Sequence, residues 1–228
     1  MTRENLLLTG SQGQLGSTFL LLFKNSPLTQ RFNLHHADIN DFDLTDKEAT
    51  LSALSSYSPS IILNCGAYTA VDEAEDNPKL AEQINGESVG LMSNWCAENS
   101  CRLIHLSTDF VFDGSKTTPY SPNDKTNPLG VYGQTKLRGE RHILESLPHN
   151  GVIIRTSWLY SEFGSNFVRT MLNLMHKEVE INVVDDQIGS PTSTYSLSKV
   201  LMRLIEREDV SGVYHWSDGG SISWHDFA

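Results

Sequence analysis

A short apolar run that ends in a glycine cluster is the strongest limit on how this chain can fold. Residues 5–9 read as a buried strand, and Gly10-Ser11-Gln12-Gly13-Gln14-Leu15-Gly16 follows at once. The cluster opens a helical pattern over 15–24, with Leu15, Phe19, Leu22 and Phe23 at core spacing. Gly10 permits a tight turn, Gly13 lets the backbone approach a pyrophosphate, and Gly16 allows close packing of helix on strand. The spacing is GxxGxxG rather than GxGxxG, and a plain glycine-rich turn would also use it. A place near the N-terminus, between a strand and a helix, favours dinucleotide binding.

The unit then repeats. Strands are expected at 32–36, 60–64, 102–107 and 151–155, and helices at 46–57, 78–98 and 131–147. Asp46 stands where a helix cap belongs and Pro78 suits a first turn. Residues 109–128, rich in Gly, Pro, Asp and Ser, form a loop too long to be a mere connection. Alternating elements of this kind need a parallel sheet covered on both faces. The expected class is therefore α/β, a Rossmann-like doubly wound sheet. Residues 1–155 are assigned to an NAD(P)-binding domain and 156–228 to a smaller substrate-binding lobe, some of whose segments pack back on the first. In the lobe, helices are expected at 166–177 and 194–207, strands at 181–184 and 212–216, and a last helix capped by Ser223. That helix begins about one turn before Ala228, so the lobe is expected to be truncated.

Composition narrows the partners. The formal net charge is −11 with no basic block, which argues against nucleic acid or an anionic membrane. No apolar run reaches the ~18 residues of a membrane span, and the first residues lack signal-peptide architecture, so the expected location is cytoplasmic. Cys65, Cys96 and Cys101 are odd in number without metal-type spacing and read as reduced thiols. No metal site is expected from the eight histidines.

Carbonyl reduction is the chemistry that the centre of the chain can support. The apolar run Leu103-Ile104-His105-Leu106 ends in Ser107-Thr108-Asp109, and Val131-Tyr132-Gly133-Gln134-Thr135-Lys136 starts an amphipathic helix. Tyr132 can supply a proton, Lys136 one turn on can lower the phenol pKa, and Thr108 can hold the carbonyl oxygen. A second Y-x-x-x-K pair, Tyr195/Lys199, follows no such strand and needs only a core-facing Tyr and an exposed Lys. Asp38, Asp41 and Asp43 lie where an adenosine ribose would be met, with Asp43-Leu44 able to flank the adenine. Carboxylates there favour a free 2′-hydroxyl, hence NADH, although a solvated acidic turn would look the same. Asn64-Cys65-Gly66-Ala67-Tyr68-Thr69 supplies small residues beside the cofactor, and Arg155 to Tyr160 leaves the next strand toward the same sheet end. Trp158 there suits a sugar face or simple packing.

Together these stretches resemble the extended short-chain dehydrogenase/reductase superfamily and, within it, the dTDP-4-dehydrorhamnose reductase family. The likeness is carried by Gly10 to Gly16, NCGAYTAVDEAED from Asn64, STDFVFDG from Ser107, NPLGVYGQTKLRGE from Asn127, RTSWLY from Arg155, NFVRTML from Asn166 and VDDQIGSPT from Val184. The resemblance implies reduction of the 4-keto group of dTDP-4-dehydro-L-rhamnose to dTDP-L-rhamnose with NADPH or NADH. It implies Tyr132 as proton donor, Lys136 as its partner and cofactor-ribose ligand, and Thr108 as the third catalytic member. By the same likeness Gly13, Gln14, Leu15, Asp43, Leu44, Cys65, Gly66 and Ala67 contact the dinucleotide, and Thr108, Asp109 and Trp158 the sugar nucleotide. A homodimer, and Mg2+ held through residues absent from this chain, are further implications. Two alternatives remain: a reductase of another nucleotide-linked 4-keto-6-deoxy sugar, and a non-catalytic dinucleotide-binding regulatory subunit.

Overall fold

Three consecutive leucines decide where the first strand lies. Leu6, Leu7 and Leu8 of β1 (Glu4–Thr9) are all fully buried, so both of its faces are covered and it sits inside the sheet. The computed structural model describes residues 2–177 and 180–228. In it β1 is flanked by β2 (Phe32–Ala37) and β3 (Ile61–Asn64), followed by β4 (Arg102–Thr108) and β5 (Gly151–Thr156). Every pairing is parallel, and the order reverses between β2-β1 and β1-β3. Such a reversal opens a crevice beyond the carboxyl ends of β1 and β3, the usual ligand position in open α/β sheets.

The two-residue period of the strands sorts the apolar side chains into two cores. Leu6, Leu8, Ile104, Leu106, Val152 and Ile154 face one side, where α1 (Gln14–Phe23) contributes Phe19 and Phe23. Leu7, Ile62, Leu103 and Ile153 face the other, against Leu54 of α3 (Lys47–Tyr57). A short helix α2 (Leu28–Arg31) leads into β2, and α4 (Val71–Asp76) follows β3. Both are too short for a periodic signal and were not expected. Asp46 caps α3 by accepting from the Ala49 amide at 3.0 Å.

The helix expected at 78–98 forms with an interruption. It runs as α5 (Pro78–Glu82), a π-helical turn (Gln83–Glu87) and α6 (Ser88–Glu98). The wide turn carries Asn85, whose side chain accepts from Tyr68 N at 2.9 Å and donates to Tyr68 O at 3.0 Å. A π-turn is where an inserted functional contact is commonly accommodated. Here it pins the loop after β3 to the helix layer.

Beyond β4, α7 (Val131–Ser146) crosses to β5, and β6 (Leu159–Tyr160) and α8 (Phe167–Met175) follow. The long loop before α7 is organised by Asp113, which accepts from Ser115 N, Tyr120 Oη and Asn127 Nδ2. Two small pairs then form. β7 (Ile188–Gly189) pairs with β10 (Ile222–Ser223), and β8 (Thr192–Ser193) pairs with β6. The strand expected at 181–184 is absent: those residues take no strand pairing, and the first strand of this region is β7. Four residues with three apolar side chains, Ile181, Val183 and Val184, are too few to specify a strand without a partner edge.

α9 (Thr194–Glu206) packs against α1, with the Thr18 and Thr194 hydroxyls 2.8 Å apart, and β9 (Gly212–His215) adds a sixth parallel strand beside β5. The chain closes with α10 (Trp224–Phe227). Residues 156–228 therefore contribute both to the main sheet, through α9 and β9, and to a cap over its carboxyl end. No helix among the described residues is long and apolar enough to cross a membrane.

Candidate active site

Carboxyl ends of β1, β3, β4 and β5 surround one cavity of about 780 Å³. It is lined by Gly10, Gly13, Gln14, Leu15, Gly16, Asp43, Leu44, Cys65, Gly66, Ala67, Thr108, Asp109, Tyr132, Lys136 and Trp158, whereas Asn64 and Tyr68 stay outside its wall. Of the three acids considered for the ribose, Asp38 and Asp43 line the cavity. Asp41 instead turns back to accept from Asp38 N at 2.8 Å, closing a turn.

The glycine loop has the shape an anion needs. Gly10 has a φ of +64°, and a Cβ there would lie 2.6 Å from Gly66 N, so the loop presses against the end of β3. Gly16 lies so close to the Gly10 carbonyl that a methyl group would overlap it. α1 begins after Gly13 with no side-chain cap, leaving first-turn N–H groups without a side-chain acceptor beside the cavity. Unpaired N–H groups and the positive end of a ten-residue helix suit a pyrophosphate. The residues present fit a dinucleotide.

Reactive groups stand across the cavity from that loop. Thr108, the last residue of β4, donates to Asp109 Oδ1 at 3.1 Å and accepts from Phe110 N at 3.2 Å. Burial raises the Asp109 carboxyl to about 6, with the Thr108 hydroxyl pulling it back. Tyr132, in the first turn of α7, meets the Phe110 ring edge-on at 5.6 Å. Burial pushes its phenol up to about 12; Thr108 lowers it and the Asp109 charge raises it. Burial, not Lys136, sets the direction of the phenol's shift in this arrangement. Lys136 Nζ is turned to donate to Leu106 O at 2.6 Å and lies 3.2 Å from His105 Nε2. Its own pKa falls to about 8, because burial outweighs the opposing pull of Glu140 and Cys65. Burial keeps the Cys65 thiol protonated, up at about 12.

Several supporting residues had no assigned role in the sequence. Glu140, one turn beyond Lys136, accepts from Ser107 Oγ at 2.5 Å and forms a two-point pair with Arg155 at 2.9 and 2.6 Å. That pair locks α7 to β4 and β5. Gln14 Oε1 accepts from Asn166 Nδ2 at 3.0 Å, tying the glycine loop to the start of α8, and Gly164 and Ser165 join the cavity wall. Trp158 has a φ of +47° and stacks on Trp224 at 3.6 Å, so one ring face is covered by a neighbour. A buried Glu and Arg were detectable only as polar residues inside elements that must be buried, a signal without a partner attached.

Comparison with known proteins follows the same outline. The family model for the RmlD substrate binding domain matches residues 4–228. A dTDP-4-keto-6-deoxy-D-glucose reductase of Streptomyces niveus is 38% identical over 227 residues, covering 99% of this chain and 76% of its own. The dTDP-4-dehydrorhamnose reductase of Escherichia coli (strain K12) is 38% identical over 230 residues, covering 98% and 76%. Among solved structures, the Bacillus anthracis dTDP-4-dehydrorhamnose reductase in complex with NADP superposes with a TM-score of 0.92 at 34% identity, covering 100% of this chain and 79% of that one. A match to nearly every residue, at this identity and with this agreement of backbone, leaves one conclusion: the chain belongs to the RmlD family of dTDP-4-dehydrorhamnose reductases.

Proposed function

We propose that this protein reduces the 4-keto group of dTDP-4-dehydro-L-rhamnose to give dTDP-L-rhamnose, using NADPH or NADH. The observation that carries the reading is the single cavity shared by the glycine loop, Thr108, Tyr132 and Lys136. A reduced nicotinamide bound there supplies the hydride.

The chain's own residues supply the rest. First-turn amides of α1 and the bare backbone at Gly13 would hold the pyrophosphate, with Asp43, Leu44, Cys65, Gly66 and Ala67 as the residues that would contact the rest of the dinucleotide. Tyr132, with its phenol at about 12, arrives protonated at neutral pH and hands that proton to the sugar oxygen as the alkoxide develops. Thr108 stands beside it as a second donor to the same oxygen. Lys136, charged on the acid side of its pKa of about 8, offsets the phenolate left behind and offers its remaining donor to the cofactor ribose. Asp109 and Trp158 border the sugar-nucleotide side.

Following nicotinamide absorbance with the dTDP-4-keto sugar tests this. Tyr132→Phe is expected to lower kcat by roughly 10²–10⁴-fold while NADPH still binds by fluorescence. Near-normal turnover in that variant would remove Tyr132 from the mechanism.

A second reading concerns the sugar. The relative named for dTDP-4-keto-6-deoxy-D-glucose is as similar as the one named for dTDP-4-dehydrorhamnose. NMR of the product formed from each substrate decides between them. The homodimer and Mg2+ rest on the resemblance, and light scattering with and without Mg2+ tests both.

A further inference from the structure

Beneath the cavity lies a file of buried polar groups that the reaction as described does not use. It runs from Thr9 on β1 through Asn64 on β3 and His105 on β4 to Lys136 on α7. His105 is 0% exposed and Lys136 2%. Hydrogen-bond chemistry leaves little freedom in how these groups are protonated. Gly66 N–H can only donate, and it lies 3.1 Å from one side-chain atom of Asn64, which must be the amide oxygen. Thr9 Oγ1 donates to that same oxygen at 2.6 Å. The Asn64 NH₂ then faces His105 Nδ1 at 3.0 Å. An NH₂ group cannot accept, so Nδ1 carries no proton and the neutral ring carries its proton on Nε2.

That Nε2–H is aimed at Lys136 Nζ, 3.2 Å away. An ammonium is a donor only, so a charged Lys136 would set donor against donor. We infer that His105 is a positioning residue that sets the charge of Lys136: in this network the ring donates to a neutral amine, and Lys136 gains its proton only as the ring proton moves to Nδ1 and the Asn64 amide turns over. The turn takes the amide oxygen away from Gly66 N–H, which keeps only Thr9 Oγ1 at 3.4 Å. The charge on Lys136 is thereby coupled to the cavity wall at Gly66.

Other charged and titratable groups around Lys136 cannot set its charge in the same way. Glu140 on α7 draws a proton toward Lys136, but its carboxylate is held by Arg155 on β5 and Ser107 on β4. Cys65 after β3 is a neutral thiol. Tyr132 on α7 is a neutral phenol at working pH. His105 itself is held well below its ordinary value by burial and then by Lys136, so it stays uncharged and acts through its tautomer.

The effect on turnover rests on the reductase reading; the network itself does not, and the test separates the two. Nitrogen NMR of the ¹⁵N-histidine-labelled protein reads the His105 tautomer, and ¹³C-lysine labelling reads the Lys136 titration, both without substrate. The expected result is a bare Nδ1 and a protonated Nε2 above the Lys136 midpoint, with the proton moving to Nδ1 below it. His105→Gln can present an acceptor oxygen to Nζ, and should move the Lys136 midpoint up by about one pH unit, a tenfold change. The alkaline limb of kcat should move with it. Asn64→Asp keeps the acceptor for Gly66 N–H and can only accept from the ring, so it should hold the proton on Nδ1 throughout. A proton on Nδ1 above the Lys136 midpoint in the unaltered protein, an unmoved midpoint in a folded His105→Gln, or a bare Nδ1 in Asn64→Asp would each overturn the inference. A protein that shows the tautomers and midpoints yet reduces no sugar would instead overturn the reductase reading.

Discussion

A lysine with almost no exposed surface costs the fold something, and the cost depends on pH. Lys136 holds its proton to about pH 10.5 in an unfolded chain and releases it at about 8 in the folded protein. Between those values the unfolded state binds more protons, so stability from this group rises with pH across the window. Below about pH 8 the full cost of burying the charge is present, on the order of 3 kcal/mol. Lys136→Met should therefore raise the melting temperature at pH 7 while abolishing turnover, and the gain should shrink from pH 8 upward and vanish above about pH 10.5. Differential scanning calorimetry at the two pH values checks it. Asp109, half-buried beside the same cavity, has its carboxyl raised to about 6 by burial.

Among the elements, the glycine loop and the interrupted helix show what periodicity can and cannot reveal. The strand, turn and helix around Gly10 to Gly16 were readable because each glycine answers a local backbone need. Gly16→Ala would push a methyl group into the Gly10 carbonyl, which backbone cannot easily yield. It is expected to weaken NADPH binding at least tenfold and to cost about 1–3 kcal/mol, read by fluorescence titration and thermal melting. The π-turn at Gln83–Glu87 carries no such signature. Its Asn85-Gly86 pair weakens a helix without saying how it will yield, and the widened turn is held by the two hydrogen bonds between the Asn85 side chain and the Tyr68 backbone. β6, β7, β8 and β10, at two residues each, are likewise set by partners distant in the chain. We retain the division at 155/156 as a proposal for how the chain is organised around its cavity, with α9 and β9 shared by the first unit.

For the whole molecule, the buried Glu140–Arg155 pair joins parts that the sequence keeps far apart. It ties α7 to β4 through Ser107, and Arg155 reaches Pro122 O in the long loop and lies over the Phe112 ring. Breaking one side of a buried pair strands the other charge, so Glu140→Leu should destabilise the protein by about 3–5 kcal/mol. Urea unfolding measures that loss. Because Glu140 lies one turn from Lys136, turnover in the folded fraction should fall as well.

From the sequence alone, the α/β class, the positions of the main strands along the chain, the dinucleotide turn and the Tyr132–Lys136 pair could all be read. Each depends on spacing within a single element, and a helix or strand imposes that spacing locally. Tertiary structure alone decided that Lys136 would turn toward His105 and Leu106 O, that burial would raise the Tyr132 phenol, and that Asn64 would fix the imidazole tautomer. Those outcomes depend on which donors and acceptors meet across neighbouring strands in a space without water. Residues 41 positions apart meet there because β3 and β4 lie side by side, and residues 31 apart because α7 packs on β4.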